Sequence, residues 1–283
     1  MYSFKIQAPA VLLPYLFEKC PGVSRTRVKK WLGLQCVSVN GKAVTRHDLP
    51  LRAGDEISVQ PGKKTPLAKK GSVKILYQDE HILVADKPEG LLTVATEKVK
   101  TKTAYYELNE WLAESKQRVF IVHRLDRETS GLLVFAKTEA SKFKLQKNWG
   151  RVEKHYTAVV EGTPKKKEDT IQSHLAQNKT LKVYSTEENE YSKLAVTEYK
   201  VLKSDGQFSL LDVNPRTGRK NQIRVQLADM GHPIAGDKKY GAKTDPAGRL
   251  ALHAHSLSFI HPVTLKKMEF KSPIPTVLTQ ILQ

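Results

Sequence analysis

The sequence predicts an α+β protein of two domains, a small basic one over residues 1–62 and a large one over 73–283. Three observations predict it. β-branched and alternating runs recur between short helical stripes along most of the chain. A stretch rich in proline, glycine and lysine at 63–72 has little apolar content and reads as a flexible linker. The charge is also uneven. Residues 1–70 hold 13 Lys+Arg and 4 Asp+Glu, so +9 of the formal +18 lies in a quarter of the 283-residue chain.

A hydrophobic fraction of 40% supports a buried core. The basic excess points to a polyanionic partner, because cations that neutralise phosphates release condensed counterions. A generally basic solvated surface is the alternative, and charge alone does not separate the two. Two cysteines, Cys20 and Cys36, form neither a disulfide framework nor a metal-ligand spacing, which suits a reducing cytosol and a cytoplasmic location. No apolar run is long enough to span a bilayer, and the opening Met1-Tyr2-Ser3-Phe4-Lys5 does not read as a secretory signal, so no membrane association is expected.

In the first domain, Val11 to Phe17 predicts a helix, with Pro14 tolerated near its first turn. Ser24 is a good N-cap for a second helix over Arg25–Leu32. Val28, Trp31 and Leu32 share its apolar face, and Arg25, Lys29 and Lys30 lie away from it. Val37–Val39 and Lys42–Val44 flank Asn40-Gly41, a strong hairpin signal. Gly54-Asp55 then introduces a strand at Glu56–Val59. Helix pair, basic second helix, hairpin and closing strand together resemble the S4-type RNA-binding domain over about residues 10–60. That resemblance implies that Arg25, Arg27, Lys29 and Lys30 face an RNA backbone; a solvated helix face is the competing reading.

In the second domain, Val73–Tyr77 and Ile82–Ala85 predict two strands across a turn at Asp79-Glu80. Ala104, Leu108, Trp111 and Leu112 fall on one helical face, and a further helix is expected over Glu139–Trp149. Glu153–Gly162 reads as a strand. Residues 164–195 are polar and hard to read, with a short strand near Leu181–Tyr184. Thr197–Val201 and Phe208–Val213 pair across Ser204-Asp205-Gly206. Ile223, Leu227 and Met230 make a helical stripe that Gly231 stops.

The chain is organised around Val122-His123-Arg124-Leu125-Asp126-Arg127-Glu128-Thr129-Ser130-Gly131, a charged loop between an incoming apolar run and the strand-like Leu132–Ala136. Arg124 and Arg127 flank Asp126, and such cations keep a carboxylate ionised and oriented. The HRLDRETSG block resembles the signature of the RluA-type pseudouridine synthases. Further segments of this chain resemble the same family: YQDEHILVADKPEGLLTV near residues 77–94, the K-x-Y-x-A pattern around Tyr156, and TGRKNQIRVQ from Thr217 to Gln226. The resemblance implies a mixed, mainly antiparallel sheet with the site in a cleft across it. It implies Asp126 as the catalytic aspartate, Tyr156 as the residue that stacks on the target base, and Arg224 as its basic partner. Arg124 would fill the space left by the extruded base or grip a phosphate. Asn221 and Gln226 stand where histidines are common in the family; neither is expected to do chemistry, and the changes bear on packing or substrate contacts.

The implied reaction breaks the uracil N1–ribose C1′ bond and rejoins the base through C5, with no redox step, cofactor or metal. Asp126 could attack C1′, add to C6 or take a ribose proton. Tyr156 could remove the C5 proton. The target uridine has to leave its helix to be reached. His253, His255 and His261 could suggest a metal site, but no further ligand is spaced to complete it. Ribosomal RNA is the expected substrate, with transfer RNA as the alternative. A non-catalytic RNA-binding or assembly factor explains the charge but not three filled site positions. A glycosidic hydrolase would need a second carboxylate in a comparable motif.

Overall fold

The computed structural model describes residues 2–33, 36–44, 46–59, 73–97, 99–115 and 117–282; the linker expected at 63–72 lies outside the described residues. The chain divides into two compact units, 1–69 and 70–283.

In the first unit, β1 (Tyr2–Lys5), β2 (Ala10–Val11), α1 (Leu12–Lys19), α2 (Arg25–Gly33), β3 (Val37–Val39), β4 (Lys42–Ala43), β5 (Pro50–Leu51) and β6 (Glu56–Val59) follow in order. β1-β6-β3-β4 form an antiparallel sheet, and β2 pairs with β5. Asn40 and Gly41 both take positive φ, 50° and 74°, as a two-residue hairpin turn matched to strand twist requires. Ser24 caps α2 by accepting the Arg27 N–H at 3.3 Å. Val28, Trp31 and Leu32 are buried against Leu12, Leu16 and Ile57, as the helical stripe predicts. β1 has no counterpart in the sequence reading, because four residues that pair more than fifty positions away carry little local signal.

The second unit runs β7 (Lys74–Gln78), β8 (Ile82–Lys87), α3 (Ala104–Leu112), β9 (Phe120–Ile121), β10 (Ser130–Ala136), α4 (Glu139–Lys147) and β11 (Glu153–Glu161). It continues with β12 (Glu168–Gln177), β13 (Val183–Thr186), β14 (Lys193–Ser204), β15 (Phe208–Pro215), α5 (Gln222–Asp229), β16 (Leu252–Ile260), β17 (Lys267–Lys271) and α6 (Thr276–Thr279). One sheet takes the order β13-β12-β14-β15-β11-β16-β10-β8-β7, with β9 on β10 and β17 on β16. Its strand pairs are antiparallel except β10 with β16, so the sheet is mixed and mainly antiparallel. β10 is buried along all seven residues, which is why it reads as a continuous apolar run.

Two expectations need correction. Trp111 is 43% exposed, because Ala104, Leu108 and Leu112 alone form the buried seam of α3 and Trp111 sits at its edge. The polar stretch after residue 164 contains β12, a ten-residue strand exposed along much of its length, so neither alternation nor burial marks it in the sequence.

The parallel contact sets the position of the Asp126 loop. Ser130 and Gly131, at the exit of that loop, register against His253 and Ala254. Gly131 has φ 113°, and a Cβ there would lie 2.2 Å from the Ala254 carbonyl oxygen. Only glycine lets the two backbones come this close. Gly131→Ala is therefore expected to destabilise the protein by at least about 2 kcal/mol, read as a lower denaturant midpoint at unchanged m-value.

Candidate active site

The loop between β9 and β10 is held at its backbone rather than left free. His123 Nε2 accepts the Val134 N–H at 3.0 Å, and the ring lies 4.4 Å from that of Trp149. Buried Thr93 clamps Leu125 twice, donating to its carbonyl at 2.8 Å and accepting its N–H at 3.1 Å. The Thr129 N–H reaches back to the Asp126 carbonyl at 3.3 Å, closing a turn. Lys87, fully buried at the end of β8, donates to the carbonyls of Pro88, Leu91 and Arg127 at 2.9, 2.8 and 3.2 Å. Its burial lowers the ammonium pKa to about 8, against the opposing pull of Asp126 and Glu128. Asp126 is thus presented from a fixed frame.

Facing it is Arg224, buried on α5 with 5% of its surface exposed. Its Nε and Nη2 form a two-pronged pair with the Asp237 carboxylate at 2.7 and 2.8 Å. Its Nη1 lies 3.5 Å from Asp126 Oδ2 and 3.7 Å from Glu128 Oε2. Burial pulls the Arg224 pKa down, but Asp237 above all, with Asp126 and Glu128, carries it above its ordinary value. The two-pronged pair is therefore made with Asp237 and not with Asp126. Asp237 fixes the plane of the guanidinium, and Asp126 meets the remaining nitrogen more loosely. In the sequence, the Gly231–Asp237 segment resembles a block of the same family and suits tight turns, and no site role is expected of its carboxylate.

Two cavities open on either side of Asp126. The smaller, about 270 Å³, is lined by Tyr156, Trp149, Lys154, Ile223 and Leu252 together with Arg124, Asp126 and Arg224. The larger, about 520 Å³, is lined by Leu92–Thr96, Arg124–Glu128, Lys220, Asn221, Arg224, Lys238 and Lys239 among others. The smaller holds the aromatic rings of Tyr156 and Trp149, and the larger gathers Lys220, Lys238 and Lys239. Burial, and then the charge of Asp126, raises the Tyr156 pKa well above the usual phenol range, so the hydroxyl stays protonated at neutral pH. A buried cation is expensive unless paired, and Arg224 is paired on three sides.

The structure brings Asp126, Tyr156, Arg224 and Arg124 to one cleft. Arg127, expected to flank the carboxylate, donates instead to the Gly90 carbonyl at 3.1 Å. Arg25, Arg27 and Lys29 are exposed on α2 in the other unit; the side chain of Lys30 lies outside the described residues. The two departures at expected histidines separate. Gln226 is fully buried away from the cleft, donating to the Ala195 carbonyl and Ser173 Oγ at 3.0 Å each, and serves packing. Asn221 lines both cavities. Among the described residues, no group of His, Cys, Asp and Glu could hold a metal ion, and no helix is long and apolar enough to cross a membrane. His255 instead bonds Thr157 Oγ1 at 3.0 Å and His261 bonds Asp79 Oδ2 at 3.0 Å.

Residues 81–229 match the family described as RNA pseudouridylate synthase. The chain belongs to this family. The synthase is 34% identical over 271 residues to the uncharacterized RNA pseudouridine synthase YlyB of Bacillus subtilis, covering 92% of this chain and 89% of that one. It is 33% identical over 288 residues to the ribosomal large subunit pseudouridine synthase D of Nitrosomonas europaea, covering 95% and 82%. Among solved structures, human RNA pseudouridylate synthase domain containing 1 aligns with a TM-score of 0.59 at 26% identity, covering 72% of this chain and 84% of that one. The protein is an RNA pseudouridine synthase, an isomerase acting on RNA, with the fold of that family.

Behind the cleft of the synthase, Ser130 Oγ accepts from Arg249 at 2.7 Å and bonds His253 Nδ1 at 2.8 Å. Burial lowers the His253 pKa to about 4. The folded state therefore refuses a proton that the unfolded chain accepts near pH 6.5. Stability from this group is complete above about pH 6.5 and is lost as pH falls towards 4. Thermal melts between pH 7 and 4 are expected to show this decline, worth roughly 3 kcal/mol at most, and His253→Gln is expected to flatten it.

Proposed function

We propose that Asp126 is the catalytic aspartate, that Tyr156 stacks on the extruded uracil, and that Arg224 holds the carboxylate in its charged, aimed form. The observation that carries this reading is the meeting of all three at one small cavity, where Trp149, Ile223 and Leu252 add apolar surface and Lys154 and Arg219 add charge. A nucleobase is smaller than the ligands that fill clefts of roughly 300–1,000 Å³, which suits the 270 Å³ pocket. The cationic cavity beyond Asp126 suits the sugar-phosphate chain on either side of the target. Arg124 is exposed at the rim of both and is placed to occupy the vacated stack or to grip a phosphate.

Uridine and pseudouridine are isomers. The N1–C1′ bond breaks, the C5–C1′ bond forms, the proton at C5 leaves and N1 gains one. Asp126 at C1′, at C6 or on a ribose proton all begin with an ionised carboxylate. The tyrosine hydroxyl is a poor base while that charge stands, since the charge is one cause of its raised pKa. On the C6 route the carboxylate stays esterified until the C5 proton is taken, which removes that cause; on the C1′ route C5 displaces the carboxylate first and its charge returns before that step.

Ribosomal RNA is the favoured substrate, on the strength of relatives named as ribosomal large subunit pseudouridine synthases, with transfer RNA as the second reading. The 1–69 unit fits an S4-like RNA-binding role, with Arg25, Arg27 and Lys29 exposed on a helix braced by a packed apolar face. A cytoplasmic location accords with both.

Asp126→Asn is expected to abolish pseudouridine formation on ribosomal RNA while RNA binding persists; turnover by this variant excludes the assignment. Tyr156→Phe keeps the ring and is expected to lower kcat by about 10²–10⁴-fold through loss of proton transfer, whereas unaltered turnover leaves only stacking. Replacing Arg25, Arg27 and Lys29 with alanine is expected to weaken RNA binding and to shrink the salt dependence by about 0.7–0.9 in log–log slope per lost phosphate contact.

A further inference from the structure

Asn221 occupies a conformation that few residues adopt. It precedes α5 with φ 53° and ψ 19°, in the left-handed region where Asn, Asp and His are enriched. It is 7% exposed, so both ends of its amide need partners inside the protein. With the amide oxygen towards Asp126, acceptor would face acceptor. The opposite orientation satisfies every group. The amide nitrogen then donates to Asp126 Oδ1 and Oδ2, each at 3.3 Å, and the oxygen accepts from Lys239 Nζ at 3.1 Å and the Tyr240 hydroxyl at 2.9 Å.

Lys239 is exposed, with its ammonium brought against the amide oxygen. Burial, then the nearby Arg224 and Lys220, lowers its pKa, while Asp126 and Asp237 pull the other way. Its ammonium lies 5.3 Å from the centre of the Tyr240 ring, and the Arg224 guanidinium 5.2 Å from the same ring. Tyr240 therefore has both cations over its ring, and its hydroxyl bonds the amide in either orientation, so the Lys239 ammonium, a donor only, decides which end faces Asp126.

We propose that Asn221 is a positioning residue for the reaction, an amide that Lys239 and Tyr240 orient so that its N–H groups hold both oxygens of Asp126 opposite Arg224. This rests on the reading of Asp126 as the catalytic aspartate. Arg224 meets one carboxylate oxygen, at 3.5 Å, and cannot by itself fix the rotation of the carboxylate about its last bond. Asn221 reaches both oxygens, and it does so with a group that does not titrate. The amide also transmits the pull of the Lys239 ammonium, because a charge on its oxygen polarises its N–H bonds towards Asp126.

The test measures kcat against pH on ribosomal RNA for the full-length wild type and its variants, with RNA affinity and melting temperature for each. Asn221→Asp is nearly isosteric, tolerates the left-handed backbone and still accepts from Lys239 and Tyr240; only the donor to Asp126 is lost. Two carboxylates at this separation cannot both ionise freely. The acid limb of the profile is expected to move up by about one pH unit or more, and kcat at neutral pH to fall about 10–100-fold, with RNA affinity within about twofold. Asn221→His, which keeps an N–H donor and suits the backbone, is expected to recover most of the rate of Asn221→Ala and to add a pH dependence of its own. Lys239→Met with Tyr240→Phe frees the amide and is expected to move the acid limb in the same direction as Asn221→Asp, by less. A merely structural asparagine would lower the melting temperature and leave the shape of the profile unchanged, and that result overturns the proposal. Turnover by Asp126→Asn overturns the reading of Asp126 and this inference with it. An inactive Asp126→Asn beside an Asn221→Asp variant of wild-type profile overturns the positioning role alone.

Discussion

A single guanidinium, Arg224, is wedged between two carboxylates that it holds unequally. Asp237, itself almost fully buried, takes the two-pronged geometry at 2.7 and 2.8 Å, and Asp126 takes what remains at 3.5 Å. The division matters. A carboxylate locked in two short charge-assisted bonds is a poor nucleophile or base, and one left without a cation in a half-buried cleft resists ionisation. Splitting the duties lets Asp237 satisfy the cost of burying the arginine while Asp126 keeps its charge available.

The frame around this pair is made of backbone. Thr93 clamps Leu125, Lys87 gathers three carbonyls from two loops, and His123 takes the Val134 N–H from the strand that follows. These contacts explain why a loop so charged sits beside strands so apolar. The charges point into the cleft, and the peptide groups between them are tied to buried side chains. Gly131 completes the frame by admitting the Ala254 backbone where any side chain would collide.

Much of this was legible in the residues, and the parts that were not share a cause. α2 and β6 are legible because each has a buried face whose spacing repeats over short range, whereas β11 and α5 are buried on most sides and show through their apolar content instead. The Asn40-Gly41 turn was legible because its backbone demands residue types that tolerate positive φ. Asp126, Tyr156 and Arg224 were legible through family motifs, and the cleft does contain all three. Asp237 was not, since nothing local distinguishes a carboxylate after a glycine turn from one facing solvent, and its partner lies 13 residues away on a helix. Asn221 reads as a change in packing or substrate contacts, because the pattern of its segment says nothing of how close it comes to position 126. β12 escaped because a strand with much of its surface exposed can be polar along most of its length.

The order of strands carries one more consequence. β16, drawn from residues 252–260, lies between β11 and β10 in the middle of the sheet. Asp126 belongs to the half on one side of it, Tyr156 and Arg224 to the half on the other. Until that late segment slots in, the two halves share no hydrogen-bonded edge and the cleft has no common floor. A nascent chain emerging from the ribosome would thus carry Asp126, Tyr156 and Arg224 for more than twenty residues before the strand that joins its two halves is made. Loop-closure entropy must be met before that long-range pairing is rewarded, so assembly of the cleft falls among the last events of folding.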